Sequence, residues 1–511
     1  MNWTSGYVAD IDYTYGYYPE LNPLRIELAL SHYGLQAPKI ENACELGFGQ
    51  GVSLCFNSCH GSINWYGTDF NPTQALYAKN LSKHTEREPI ILDDDFLTFC
   101  ERDDLPTFDF ISLHGIWSWI SDENRQIIVK FLKNKLAVGG VLYISYNTQP
   151  GWSSMIPFRD MLTRHANTMA AQGVGIVKRI DAALEFADKL MAANPSFKNA
   201  NPQVQERLNL MKKQDRHYLA HEYFNADWHP MGFAEMNDIL SAAKLTYAGS
   251  ANFADTVPEL NFTAEQLSII AKIDDPVYRE VIKDLCVNQS FRKDYWVKGA
   301  VRLSQYERGQ NLSNINVSLV ANTELIDMKV KGHLGEANMT SEIYEPLFSV
   351  LKKHPSISIR KICETLNGVV NDTQILEAIA VLLSKNSIAL SMSDAEKNKA
   401  KQSTKRMNRH LVSGAVSKNE VNYLVSPLTL TGIPLSKFEQ LFLKALDEKH
   451  KNAADIAQYV WSLMKPQGHR VIKDGKTLES AEENIEYLNQ EAEKFLATKV
   501  GLLRNLEVFP L

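Results

Sequence analysis

The sequence predicts an α/β chain with an open, doubly wound Rossmann-like sheet first, a mixed middle region next, and a mainly helical end. Three observations predict the sheet. Cys44-Glu45-Leu46-Gly47-Phe48-Gly49-Gln50-Gly51 reads as a strand running into a glycine turn. Ile63-Asn64-Trp65-Tyr66-Gly67-Thr68-Asp69-Phe70 reads as a second strand ending in an acid, about eighteen residues after Gly51. Pro89-Ile90-Ile91-Leu92-Asp93-Asp94-Asp95-Phe96 reads as a third, ending in a run of acids. Strand, glycine turn and helix in this order form the nucleoside-binding end of doubly wound folds.

The glycine turn carries the most information. Without Cβ atoms it can bend sharply and let ligand atoms touch backbone. Its glycines read G-x-G-x-G, not the G-x-G-x-x-G of a dinucleotide fingerprint, and Glu45 stands two residues ahead. An acid there repels a pyrophosphate and attracts a cation. This register resembles motif I of class I S-adenosylmethionine-dependent methyltransferases, whose cofactor has an ammonium and a sulfonium but no phosphate. The resemblance implies that Glu45, Gly47, Phe48, Gly49 and Gly51 cradle it. Asp69 can accept both ribose hydroxyls, as in other doubly wound nucleoside binders. Phe70 can lie against the adenine face. By the same resemblance Asp95 accepts from the adenine amino group, with Phe96 packed beside it. Asp93 and Asp94 are alternatives for that role if the strand register differs.

The remaining elements follow in order. The segment from Tyr13 to Pro23 is dense in tyrosine, suited either to an entrance that stacks on a ligand or to an arm packed on the core. Asn22-Pro23 is an N-cap and first-turn pair for a helix. Residues 108–115 read as a fourth, central strand running into Ile116-Trp117-Ser118-Trp119-Ile120. Ligands of open sheets sit beyond the carboxyl ends of strands, so His114, Trp117 and Trp119 are expected to face the methyl donor or the acceptor. Ser121 caps a helix over 124–136, Val138-Gly139-Gly140 ends it, and 141–146 is a fifth strand. Residues 153–214 keep a helical pattern and are expected to form a lid-like insertion. A helix through 236–243 and a strand over 245–249 complete a sheet domain of residues 1–255. Residues 263–303 read as helical, and 314–320 and 326–330 alternate as strands, giving a middle region of 256–340.

Five further stretches, with the glycine turn ELGFGQG, sharpen the resemblance: GYYPELNPLR, LHGIWSWI, YNTQPGW, HEYFNADWHP and NQSFRKDYWVKG. Together they resemble bacterial lysine methyltransferases of the rickettsial outer-membrane-protein type, in which a methyltransferase regulatory domain follows the class I domain. The resemblance covers about the first 350 residues. It implies a protein substrate, an outer-membrane or surface protein among the candidates. From 341 to 511 three helices and a short strand (343–353, 357–366, 373–383, 388–391) are expected to form a winged-helix-like module, with a similar order recurring from Leu435. The basic run over 396–410 is expected to be a solvated linker or helix face rather than a phosphate- or acid-binding patch.

Bulk properties narrow the function classes. The 511 residues, 44% of them hydrophobic, allow two to four domains. A net charge of -6 gives no basic field, so no nucleic-acid partner is expected. The six cysteines are scattered without a C-x-x-C, and Cys55, Cys59 and His60 are too few for a metal site. With no basic and apolar leader and no run of eighteen apolar residues, a soluble cytoplasmic protein without membrane insertion is expected. Nothing in the sequence specifies an oligomeric state.

For methyl transfer the acceptor's lone pair must come within about 3 Å of the methyl carbon, opposite sulfur. A lysine acceptor must be neutral although its free pKa is about 10.4. The sulfonium's like charge and a dry aromatic slot both lower that pKa. Trp117, Trp119 and Trp152, with Tyr17, Tyr18 and Tyr146, are expected to wall the slot. Tyr18, His114 or Tyr146 would orient the amine or pass its proton to water. Two rival functions are a methyltransferase for a small metabolite and a non-catalytic S-adenosylmethionine sensor.

Overall fold

The computed structural model describes residues 14–169, 173–418 and 420–510. Tyr13, the first of the expected tyrosine arm, lies outside these residues. Asn22 accepts from the Leu24 amide, and Pro23 opens α1 (Pro23–His32). Strands and helices then alternate: β1 (Asn42–Leu46), α2 (Val52–Ser58), β2 (Asn64–Thr68), α3 (Pro72–Ser82), β3 (Ile90–Leu92), α4 (Phe96–Cys100), β4 (Phe108–Leu113), α5 (Asp122–Lys135) and β5 (Leu136–Asn147). Residues 137–140, expected as the end of a helix, are extended and belong to β5. Leu136 pairs with Phe108, and the register slips between Phe108 and Phe110.

The insertion is helical in its described residues: α6 (Ile156–Thr168), α7 (Ile176–Ala192), α8 (Ser196–Ala200) and α9 (Gln203–Lys213). It continues through α10 (Arg216–Tyr223). It has a core of its own, in which Phe158, Leu162, Ile180, Leu184, Leu208 and Met211 pack around Trp152 and Trp228. Trp119 joins that core and so ties the insertion to the loop after β4.

Next come α11 (Phe233–Ser241), β6 (Leu245–Ser250), α12 (Ala264–Ile270), α13 (Pro276–Val287) and β7 (Phe291–Lys298). The sheet order is β3-β2-β1-β4-β5-β7-β6. The first five strands are parallel, and β7 runs antiparallel between β5 and β6. The expectation of helix through 263–303 is therefore corrected at β7, and the sheet draws on residues beyond 255. The polar letters of this stretch hide a central strand: Arg292 and Asp294 are buried and satisfy each other, while Tyr295, Trp296 and Val297 are core. Successive sheet residues face opposite sides. Ala43, Phe110, Tyr143 and Tyr295 pack on one face. Cys44, Ile111, Leu142 and Trp296 pack on the other.

Beyond the sheet lie α14 (Gln305–Asn314), β8 (Asn316–Leu319), and a hairpin of β9 (Lys329–Gly332) and β10 (Gly335–Asn338). Then follow α15 (Ser341–Leu351), β11 (Ile357–Ser358), α16 (Ile359–Leu366), α17 (Asp372–Ser384) and β12 (Ile388–Ser391). The three helices pack beside a small antiparallel sheet, β11-β8-β12, whose middle strand precedes residue 341.

The basic run is α18 (Asp394–Gly414). One side of it is solvated, but Ala400, Ser403, Thr404 and Met407 are buried. Lys397 and Lys401 pair with Glu507 at 2.9 and 2.8 Å, and Arg406 donates to the Thr85 carbonyl at 3.0 Å. The helix thus fastens the C-terminal part to the segments around α2 and α3. The chain closes with a hairpin of β13 (Tyr423–Val425) and β14 (Gly432–Pro434), then α19 (Lys437–Asp447), α20 (Ala453–Met464), the hairpin β15 (Ile472–Lys473) and β16 (Lys476–Thr477), α21 (Ala481–Thr498) and α22 (Val500–Asn505). No helix among the described residues is long and apolar enough to cross a membrane.

Candidate functional site

A cavity of about 310 Å³ opens beyond the carboxyl ends of β1 to β4, where the strand order reverses. The reversal leaves a crevice because the connections from β1 and β4 leave on opposite sides of the sheet. Its floor is the glycine turn. Gly47, Gly49 and Gly51 all have positive φ, at 72°, 57° and 69°. At Gly47 an added Cβ would lie 2.4 Å from Ile116 Cδ1, so the turn passes close under the loop after β4.

Acids line this space. Glu45, at the end of β1, is buried, and its Oε2 has no hydrogen-bond partner. Burial pushes its carboxyl up to about 8, and the neighbouring Asp69 charge adds to that. Asp69 follows β2, and its Oδ2 accepts from the Gly49 amide at 2.8 Å. Its Oδ1 accepts from the Asn71 amide at 3.1 Å. Burial still pushes Asp69 up to about 7 against those two donors. Gln74, in the first turn of α3, with its amide nitrogen turned toward Asp69, donates to Oδ1 at 2.9 Å.

Of the three acids after β3, Asp94 and Asp95 line the cavity and Asp93 does not. Asp94 Oδ2 accepts from Arg102 at 3.1 Å. Asp95 caps α4 by accepting from the Thr98 amide at 2.8 Å. Phe48, Phe70 and Phe96 complete this end.

The other end is aromatic. His114 closes β4, with its Nδ1 2.8 Å from Tyr143 Oη and its ring stacked 3.7 Å from that of Tyr18. Burial pushes the imidazole down to about 3; Glu20 opposes this and Lys293 adds to it. His114 is therefore neutral and puts no positive charge beside a ligand. Trp119 and Ile116 form the wall toward the insertion, and the exposed Glu123 and half-buried Asp227 stand at the mouth.

Several expected residues stand elsewhere. Trp117 is fully buried under the sheet and donates to Met231 Sδ at 3.3 Å. Tyr146 is fully buried and donates to Asp294 at 2.9 Å. Neither lines the cavity, so the slot expected from them is corrected: one belongs to the core, the other to the β7 charge network. Trp152 packs inside the insertion against Trp228, and Tyr17 packs between Phe56 and Tyr423. Gly51 lies outside the lining; an added Cβ there would meet Ala78 Cβ at 2.6 Å, so it sets how closely α2 approaches α3. Gln74, Ile116, Glu123 and Asp227 line the cavity without having been expected to. Gln74 had a signal, since it lies in the first turn of the helix that follows Asp69, but Asp227 comes from a segment far along the chain.

An adenosyl cation fits these residues. The cavity offers an unpartnered buried carboxylate oxygen, aromatic faces, and no lysine or arginine among its described lining residues. The strand order and this site define the class I S-adenosylmethionine-dependent methyltransferase fold. Among solved structures, PKMT2 from Rickettsia typhi in complex with AdoHcy aligns with a TM-score of 0.68 at 18% identity, covering 94% of this chain and 98% of that one. Residues 215–298 match the family described as a predicted methyltransferase regulatory domain. Uncharacterized protein sll1526 of Synechocystis is 35% identical over 515 residues, covering 99% of this chain and 100% of its own. Uncharacterized protein RP789 of Rickettsia prowazekii is 25% identical over 316 residues, covering 59% of this chain and 54% of its own. The chain belongs to the family of the Synechocystis protein.

Proposed function

We propose that this chain is an S-adenosylmethionine-dependent methyltransferase that acts on lysine side chains of a protein. The charge of the cavity carries the reading. Six acids, Glu45, Asp69, Asp94, Asp95, Glu123 and Asp227, line it with no lysine or arginine among the described lining residues, and the raised carboxyls of Glu45 and Asp69 ionise against a bound cation. Such a lining favours a cationic donor and a cationic acceptor together. The likeness to PKMT2, solved with AdoHcy, supports the same donor.

S-adenosylmethionine supplies, when bound, an electrophilic methyl on a sulfonium. The chain's own residues do the rest. Glu45 would hold the donor's ammonium side, Asp69 the ribose hydroxyls, and Asp95 the adenine edge between Phe70 and Phe96. Glu123 and Asp227 would draw an ammonium to the mouth. Trp119, Ile116 and Tyr18 would strip its water, which favours the neutral amine. Neutral His114, held by Tyr143, would orient that amine.

The test is incubation of the full chain with methyl-labelled donor and a cell lysate. Label recovered as methyl-lysine in a protein band is the expected result. Label confined to small molecules would move the reading to a metabolite methyltransferase. Donor binding without transfer would move it to a sensor.

A further inference from the structure

A second cavity, of about 210 Å³, lies behind the β6–β7 edge within the regulatory region. Beside it β6 is irregular. The register with β7 slips between Tyr247 and Gly249. The Tyr33 ring lies so close to Gly249 that an added Cβ would sit 2.1 Å from Tyr33 Cε2. The cavity is large enough for a ligand the size of a lysine side chain.

Four carboxylates face it: Asp255, Glu280, Asp284 and Asp294. The buried Arg292 is the hub between three of them. Its Nε donates to Asp294 at 2.9 Å, its Nη1 to Asp284 at 2.5 Å, and its Nη2 to Glu280 at 3.1 Å. Lys283 pairs with Glu280 at 2.6 Å. Lys293 is committed outside this cluster, to Glu20 at 2.6 Å. The His333 imidazole also faces the space. Asp255 accepts from Ser250 Oγ at 2.7 Å and Asn252 Nδ2 at 2.9 Å, both neutral donors. Four acids and three committed cations, Lys283, Arg292 and Lys293, thus line the space.

One acceptor is left over. Asp284 is 4% exposed, and its Oδ2 has no hydrogen-bond partner. Burial pushes Asp284 up to about 7 even though Arg292 pulls it down. A buried acceptor left unmade is costly, so its persistence points to a donor. No group of three or more His, Cys, Asp or Glu among the described residues is arranged to hold a metal ion. A single open carboxylate oxygen suits the compact, three-donor ammonium better than the planar fork of a guanidinium. The Tyr33 and Tyr247 rings on the walls suit the same charge.

We propose that this cavity binds a small primary ammonium compound, with Asp284 Oδ2 as its charged acceptor. The site is separate from the first cavity, and Lys293, on its wall, pairs with Glu20 at 2.6 Å. Glu20 in turn opposes the neutrality of His114.

The test uses the full chain carrying Glu123→Gln and Asp227→Asn, which remove the charges at the mouth of the first cavity, saturated with S-adenosylhomocysteine, and calorimetric titration with n-butylammonium against its neutral isostere butan-1-ol. One butylammonium should bind per chain and butanol should not. Asp284→Asn should weaken butylammonium roughly tenfold or more while leaving S-adenosylhomocysteine affinity unchanged. Equal response to the two ligands, or unchanged affinity in a folded Asp284→Asn, overturns the proposal. Should the Asp284→Asn change not fold, the comparison of the two ligands in the Glu123→Gln, Asp227→Asn chain decides alone, with no saturable butylammonium binding as the overturning result. Failure of S-adenosylhomocysteine to bind would count against the proposed function only, since a saturable site lost in Asp284→Asn would still read out.

Discussion

The Gly49 amide donates to Asp69 Oδ2 at 2.8 Å, which ties the glycine turn to the end of the neighbouring strand. This bond orients the carboxylate that would meet the donor's ribose, and it holds the floor of the cavity at the same time. Asp69→Asn keeps the shape but weakens the amide bond and removes the charge. S-adenosylhomocysteine affinity should fall by about 1.5–3 kcal/mol, the range for a hydrogen bond to a charged group. Titration calorimetry checks it, and an unchanged affinity would remove Asp69 from the site.

Proton release gives a second handle. Burial raises Glu45 to about 8 and Asp69 to about 7, both above the ordinary carboxylate range. In the free protein the folded state then holds protons that the unfolded state has lost. The stability these groups contribute is present below about pH 4 and is lost as pH rises through 7 to 8. A cationic ligand binds the ionised pair, so it releases protons and tightens with rising pH, by up to about tenfold per unit for one linked proton. Calorimetry at pH 7 in two buffers of different ionisation enthalpy should give different apparent heats. Identical heats would show that neither carboxyl changes state on binding.

The glycines divide by role. Gly47→Ala places a methyl against Ile116 at a left-handed backbone position. It should impair donor binding and cost roughly 1–2 kcal/mol in strain. Gly51→Ala, at an equally left-handed backbone position, drives the methyl against Ala78 instead. It should cost stability by about 1–3 kcal/mol through overpacking. Whatever variant protein remains folded should still bind the donor. Paired thermal melts and binding curves separate the two; a Gly51→Ala that melts normally but loses the ligand would contradict this division.

These roles show what the sequence could and could not reveal. A glycine turn and a strand-ending acid are local, so the register of Glu45, Gly47, Gly49 and Asp69 is visible in a short window. Which way a side chain turns after a strand is not local. Trp117 and Trp119 sit two residues apart beyond β4, yet one goes under the sheet and the other toward the insertion. Tyr146 points at Asp294 because β7 runs beside β5, and that pairing joins segments about 150 residues apart. β7 itself was hidden because a buried Arg292 with three acidic partners reads as a polar stretch. The fold was legible from its repeating strands and helices; the acceptor wall depended on contacts that no window contains.

Tyr146→Phe tests that distinction directly. The lost hydroxyl serves Asp294, so the expected cost is about 1–3 kcal/mol of stability, with turnover unchanged once the protein is folded. Tyr18→Ala should do the reverse, since Tyr18 lies on His114 in the cavity. It should lower turnover with little effect on the melting temperature. A Tyr146→Phe protein with normal stability and no activity would return Tyr146 to the chemistry.

The C-terminal half braces the site, and truncation should show it. Every residue of α2, the helix that leaves the glycine turn, is buried. Val52, Cys55, Phe56 and Cys59 share a core with Leu424, Val425, Leu428 and Ile433. Asn22 donates to the Thr429 carbonyl at 3.0 Å, and Ser403 donates to the Cys59 carbonyl. A chain ending at residue 340 would expose this face. Each large apolar side chain uncovered loses about 1.5–3 kcal/mol of burial, and the loss falls on the helix that carries the turn. The shortened chain should bind hydrophobic dyes, aggregate, and lose S-adenosylhomocysteine binding although every residue lining the first cavity is still present. If it instead remained monomeric and bound that ligand as tightly as the full chain, the contacts between α2 and the C-terminal half would have no part in holding the site.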